Sequence, residues 1–348
     1  MIHYTLATAD DDPWLCALLR EHPMQGWVRI SLTRDPSFFT GCNRFGSEWA
    51  MLARDGDRPV GLYTCAEHPV HLDGNTAEPG YLGGLRIVKT HRNRLSAVRA
   101  GYASIRKLHS QPASSIWYSA IATDNRPARR LLEARLRGMP IYTPINEFVT
   151  LALPAARARH HGLWQTVPEA ELDTLCHFYN TQARRYQFSP VLTPERALRT
   201  GARFYAASAG GKMQACMAIW NQMSYKQVCI HGYHRLLHTL LPLYNLLARL
   251  TRRVRLPAPG RTLEQSFLAF FAVDTPEQNP VPVTLIEDAL SLCDTQILTL
   301  GLHAAHPWLA QLQRSFRPLH YRSCIYLVSF EEPGSLRDYP AQPEAALL

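Results

Sequence analysis

The chain has 348 residues, 46% hydrophobic and 19% charged, a globular composition with room for two domains that excludes disorder over most of its length. With 37 Lys and Arg against 28 Asp and Glu the formal net charge is +9, which suits a phosphorylated or polyanionic ligand and equally an Arg-rich chain with no such partner. The eight cysteines are scattered with no C-x-x-C, which argues against a disulfide framework or a thiolate metal site and for a reducing, cytoplasmic setting.

In chain order, "HYTLATA" reads as a strand and "DPWLCALLREH" as a helix, with Asp12 as its cap and Pro13 in its first turn. "EWAMLARDGDRPVGLYTCAEHPV" is a hairpin around "RDGDRP", and "GYLGGLRIV" is a further strand. The helix from Leu95 carries Leu95, Val98, Tyr102 and Ile105 on one face. After it come the strand "SIWYSAIA", the helix "NRPARRLLEARL" and the closing strand "NEFVTLALP". "PAARARHHG", residues 154–162, has no apolar period and reads as a linker.

The second half repeats this order. Two helices precede a hairpin turning at Ala209–Lys212, then the strand "SYKQVCIHGYHR" and a helical stretch. The strands "SFLAFFAV", "QILTLGLH" and "SCIYLVSF" follow, with helices between them. The apolar run "LLHTLLPLYNLLARL" is broken by Pro242 and too short to span a bilayer, so no membrane insertion is expected. The start "MIHYTLATADDD" has neither a basic n-region nor an apolar core, and no signal peptide is expected.

The chemistry concentrates in "THRNRLSAVRAGYASI". His91, Arg92 and Arg94 stand just before a helix whose own dipole end is already positive, an unfavourable placement that an anion would complete. A second helix start follows, where Asp124 or Asn125 caps a turn bearing Arg126, Arg129 and Arg130. His160, His161, His303 and His306 lack companions at metal-ligand spacing, and no metal is expected. The arginines gather at one phosphate-sized site without an aromatic platform, so a nucleic-acid partner is not expected.

Residues 1–153 resemble the GNAT superfamily of acyl-CoA-dependent N-acyltransferases. The pyrophosphate-loop pattern [R/Q]-x-x-G-x-[G/A] falls on Arg92-Asn93-Arg94-Leu95-Ser96-Ala97, with Leu95 where the family has glycine. The later pattern N-x-x-A-x-x-L-Y-x-x-x-G-F is met at Asn125, Ala128 and Leu131, with Leu132 in the tyrosine position and Gly138-Met139 near the final pair. Over residues 163–332 the likeness rests on element order alone.

The resemblance implies an α/β (α+β) chain of two GNAT-like domains, each with a mixed, mostly antiparallel sheet flanked by helices. Residues 1–153 would bind acyl-CoA, 154–162 link, 163–335 form a degenerate copy, and 336–348 a C-terminal tail. Leu85, Ile87 and Val88 would pair with the pantetheine. Residues 92–97, Asn125, Ala128 and Arg129 would hold the rest of acetyl-CoA or another acyl-CoA. The acceptor would be a primary amine on a small molecule or peptide. Tyr81 and Glu78 are the candidates for handling its proton, against a half-buried strand residue and a solvated turn residue. The aromatics of "QGWVRISLTRDPSFFTGCNRFGSEW" could line an acceptor pocket or build core. A carrier-protein or transfer-RNA donor, and a non-catalytic acyl-CoA sensor, are the competing expectations.

Overall fold

The structure, a computed structural model, describes residues 2–24, 28–91, 95–108, 116–155, 158–251, 253–274, 283–332, 334 and 336–348. The first half contains β1 (Ile2–Leu6), α1 (Asp12–Glu21), β2 (Val28–Thr33), β3 (Ser47–Asp55), β4 (Arg58–Glu67), β5 (Val70–Leu72) and β6 (Asn75–Ala77). It continues with β7 (Gly80–Ile87), α2 (Leu95–Leu108), β8 (Ile116–Ala122), α3 (Arg126–Glu133) and β9 (Ile141–Pro154). The second half contains β10 (Gln165–Thr166), α4 (Leu172–Ala183), α5 (Pro194–Thr200), β11 (Arg203–Ala209), β12 (Lys212–Trp220), β13 (Gln227–Tyr233) and α6 (Arg235–Leu250). It closes with β14 (Gln265–Val273), α7 (Val283–Ser291), β15 (Ile297–His303), α8 (Leu309–Phe316) and β16 (Leu319–Ser329).

Twelve strands form one continuous, mostly antiparallel sheet in the order β1-β3-β4-β7-β8-β16-β9-β15-β14-β12-β11-β10. The last strand, β16, lies between β8 and β9, antiparallel to both, and β9 crosses to pair with β15. Each half therefore completes the other's sheet. β2 leaves the main sheet and pairs with β13 from the second half, so the halves are joined a second time.

Alternation along the strands divides the core by face. One face gathers Phe45, Tyr118, Phe148, Phe188, Phe270 and Ile325 from both halves into a shared cluster. On the other, Val98, Tyr102, Ile105 and Leu132 of α2 and α3 cover Trp117, Tyr326 and Val328. Burial of side chains this large contributes on the order of 1.5–3 kcal/mol each. All eight cysteines are free thiols, most of them buried.

Three local features depart from the sequence expectations. The helix cap before Pro13 is Asp11 rather than Asp12, whose Oδ1 instead accepts from Phe38 N at 2.7 Å. The run at Pro242 is not broken: α6 continues through it. Pro242 faces solvent, where water can satisfy the His238 carbonyl left without an N–H partner. The segment expected as a linker, irregular over 158–162, is anchored at its end. The buried carboxylate of Asp288 accepts from the backbone N–H groups of His161, Gly162, Leu163 and Trp164 at 2.6–3.3 Å. Burial pushes this carboxyl up, but the four N–H groups outweigh it and hold the group below the usual carboxylate range.

Candidate active site

The site starts from a fork between two parallel strands. β7 and β8 pair only at Gly80–Trp117 and Tyr81–Tyr118, then separate. Gly80 permits the close start, because a Cβ there would sit 2.0 Å from the Trp117 ring. Ser119 Oγ donates to Leu82 O at 2.8 Å, a side-chain link at the crotch of the fork. Beyond it β7 bulges: Gly84 and Leu85 together oppose Tyr63 of β4. Gly84 has φ +65°, a conformation that favours glycine, and an added Cβ would press on the Thr64 side chain at 2.8 Å.

Val88 N donates to Val60 O of β4 at 2.9 Å. The alternation of the ladder therefore turns the peptide groups of Leu85 and Ile87 toward the side from which β8 has departed. Val88 directs its N–H the other way, into β4. Leu85 is exposed and Ile87 half-buried.

From β7 the chain enters α2. Arg92, Asn93 and Arg94 lie outside the described residues, as does Trp27. Leu95 is half-buried, Ser96 exposed and Ala97 buried, with Ala97 O accepting from Tyr4 Oη at 2.9 Å. His91 turns to Asp55, Nε2 to Oδ2 at 3.2 Å, while its Nδ1 meets Thr90 Oγ1 at 2.8 Å. On α3, Asn125 is the cap: its Oδ1 accepts from Ala128 N at 3.3 Å. Arg129 Nε donates to Tyr326 Oη of the exchanged β16 at 2.9 Å and to Glu133 at 3.3 Å. Arg126 and Arg130 point into solvent. The structure thus brings Leu85, Ile87, Val88 and the α2 start to one end of the fork and α3 beside β16.

Tyr81 stands at the base of the fork, its ring 5.1 Å from that of Tyr118, which in turn stacks on Phe188 at 4.6 Å. Burial raises the Tyr81 hydroxyl, and Tyr321 and Glu48 add to the rise, so the hydroxyl stays protonated at neutral pH. Glu78 is exposed in the turn before β7. Glu48, Ala66, Tyr81 and Tyr118 fall on one row across β3, β4, β7 and β8, and so share a face of the sheet. Ala66 is the small member of the row, between Glu48 and Tyr81.

Glu48 is ion-paired with Arg34, whose ring-facing guanidinium lies 4.6 Å from the centre of Phe38. Beside them is Lys226, half-buried and lowered to about 8 by desolvation and by Arg34, with Glu48 acting the opposite way. Its Nζ donates to the main-chain oxygen of Leu348 at 2.7 Å. Sequence reading missed this group because its members come from β3, the loop after β2, and residues 226 and 348. A signal was available in part: Lys226 is the lone lysine of the segment 213–263, and Arg34 and Glu48 bracket Phe38, Phe39 and Phe45. Those aromatics build core, with Phe38 and Phe45 fully buried and Phe45 stacked on Phe270 at 5.5 Å.

The second half repeats the fork. β14 and β15 pair in parallel at Gln265–Ile297, Ser266–Leu298 and Phe267–Thr299, then part. Phe270 and Phe271 bulge opposite Met217, as Gly84 and Leu85 do opposite Tyr63. Here the protein itself enters the fork at the bulge. Glu344 Oε2 accepts from Phe270 N at 2.8 Å, and burial raises the carboxyl to about 7 despite help from backbone N–H groups. About 50 Å³ remains beside Glu344, Tyr186 and His306, room for a few waters at about 10–15 Å³ each.

No protein-family profile and no curated protein matches the sequence. Solved structures do. N-myristoyltransferase of Saccharomyces cerevisiae with bound myristoyl-CoA matches with a TM-score of 0.62 at 11% identity, over 94% of this chain and 82% of that one. A GCN5-related N-acetyltransferase from Anabaena variabilis matches with a TM-score of 0.51 at 10% identity, over 94% of this chain and 72% of that one. Likeness of this kind at such identities is a likeness of fold. The chain therefore has a GNAT-like fold across nearly its whole length.

Proposed function

We propose that the protein is an N-acyltransferase that moves an acyl group from acyl-CoA to a primary amine of a small molecule or peptide. The observation that carries this reading is the open, glycine-bulged fork of β7 and β8 leading into the start of α2. Peptide groups of Leu85 and Ile87 would hold the pantetheine arm, and a bulge N–H would polarise the thioester carbonyl. Arg92, Asn93, Arg94, Leu95, Ser96 and Ala97 would receive the pyrophosphate at the helix start, with Asn125, Ala128 and Arg129 along the neighbouring helix. Residues 1–153 supply this donor site, and the second half covers it and shapes the acceptor side.

The amine must shed a proton as it attacks the thioester carbon. Collapse of the tetrahedral adduct then leaves an amide and releases the CoA thiolate, which takes up a proton. Tyr81, kept protonated by burial, serves as a relay through water rather than as the ultimate base. Glu48, on the same row, is a nearer carboxylate for that relay than the exposed Glu78.

Calorimetry with acetyl-CoA and with longer acyl-CoA thioesters tests the reading. One site per chain is expected, followed by turnover with an amine panel. No binding of any CoA thioester would overturn it in favour of a carrier-protein or transfer-RNA donor. Binding without turnover on any amine would favour a sensor.

A further inference from the structure

α6 is held to the protein by one side only. Leu237, Leu241 and Tyr244 pack on the β2–β13 pair, Tyr244 Oη donates to Val254 O at 3.0 Å, and Asn245 bonds both backbone groups of Leu256. The adjoining face carries Leu236, Leu240, Leu243, Leu246, Leu247 and Leu250, each 50–72% exposed. An unbroken leucine stripe of this size on a surface helix needs an apolar partner.

The charge around it names the partner. From residue 196 to 263 the sequence contains no Asp or Glu. Arg235, Arg249, Arg253, Arg255 and Arg261 are exposed, and among the described residues none of them forms an ion pair. A helix of 16 residues is about 24 Å long, too short to cross a hydrocarbon core of about 30 Å, but suited to lying along its surface. A second copy fits poorly, because a two-fold contact through the stripe would bring the two sets of arginines together without a carboxylate between them.

We propose that α6 docks the protein on an anionic lipid surface, its leucines entering the headgroup–acyl boundary and the flanking arginines meeting lipid phosphates. This docking is independent of what the forks bind.

The test is co-sedimentation of the full chain with vesicles of equal parts phosphatidylglycerol and phosphatidylcholine, and with phosphatidylcholine alone. The wild type should partition onto the anionic vesicles ~tenfold or more in excess over the neutral ones, and release as salt is raised. Leu240→Gln, Leu243→Gln and Leu247→Gln together should lower that partition ~tenfold with an unchanged melting temperature, since all three side chains are exposed. Arg249→Gln with Arg253→Gln should reduce the preference for anionic vesicles while leaving the residual binding to neutral ones. Absence of binding to anionic vesicles overturns the proposal, as does equal binding by the leucine variant. A wild-type dimer that this variant dissociates, without any vesicle binding, overturns it in favour of a second copy.

Discussion

At the β7–β8 fork the bulge residue is Gly84, exposed and without a side chain. At the β14–β15 fork the same position holds Phe270, which is fully buried at φ +50° and stacked near Phe45, Phe204 and Trp220. The left-handed conformation costs a non-glycine residue on the order of 1–2 kcal/mol, which aromatic burial offsets. One scaffold has thus been kept twice with opposite outcomes. Where the bulge is glycine the fork stays open to a ligand. Where it is phenylalanine, the bulge N–H is given to Glu344 and only a cavity of about 50 Å³ is left beside it. Retaining the bulge does not by itself retain a site.

The largest expected effect tests the closed fork. Because the folded Glu344 carboxyl is raised above its unfolded value, its contribution is fully present below the unfolded range near 4.5 and is lost as pH rises through about 7. Unfolding free energy should therefore fall by up to about 3 kcal/mol between pH 5 and pH 8 from this group. Glu344→Gln should flatten that part of the profile in denaturant titrations; an unchanged slope would mean that the carboxyl is not desolvated at Phe270. Next comes the open fork. Tyr81→Phe should lower turnover about a hundredfold with acyl-CoA affinity unchanged, and near-silence would make Tyr81 core filler like its counterpart Phe267.

A somewhat smaller difference separates the forks as binding sites. Acetyl-CoA at a hundredfold excess over its Kd should stabilise the wild type by about 2–3 kcal/mol. Arg92→Ala with Arg94→Ala should remove most of that shift and leave the ligand-free melting temperature nearly unchanged. Two equivalent sites by calorimetry would erase the distinction between the forks altogether. The smallest effect belongs to Asn125→Ala, which should cost about 1 kcal/mol of stability as a lost helix cap. A loss of acyl-CoA affinity much larger than the loss of stability would show that Asn125 also serves the ligand.

Local features were legible in sequence, and long-range ones were not. The hairpins at 47–67 and 203–220 are announced by "RDGDRP" and by Ala209–Lys212, and both are observed. The strand "GYLGGLRIV" was legible as an element, and it is observed as β7. β5 and β6 were missed because they are three residues each, and β2 because it lies among polar and aromatic residues. A period-2 pattern also carries no information about the partner strand, so the placement of β16 between β8 and β9 could not be read from "SCIYLVSF". Glu344 gave no warning for a similar reason: "PEAALL" reads as a tail until Phe270, 74 residues earlier, is seen to need an acceptor.

The placement of β16 constrains the order in which the protein can come into being. As the chain leaves the ribosome, the sheet edge of β8 that faces β16 has no neighbour until residues 319–329 have been made, more than half the chain later. A nascent first half must wait with one edge of β8 and both edges of β9 open to mispairing. Arrest or proteolysis anywhere before β16 should then yield an aggregation-prone fragment rather than a smaller working protein.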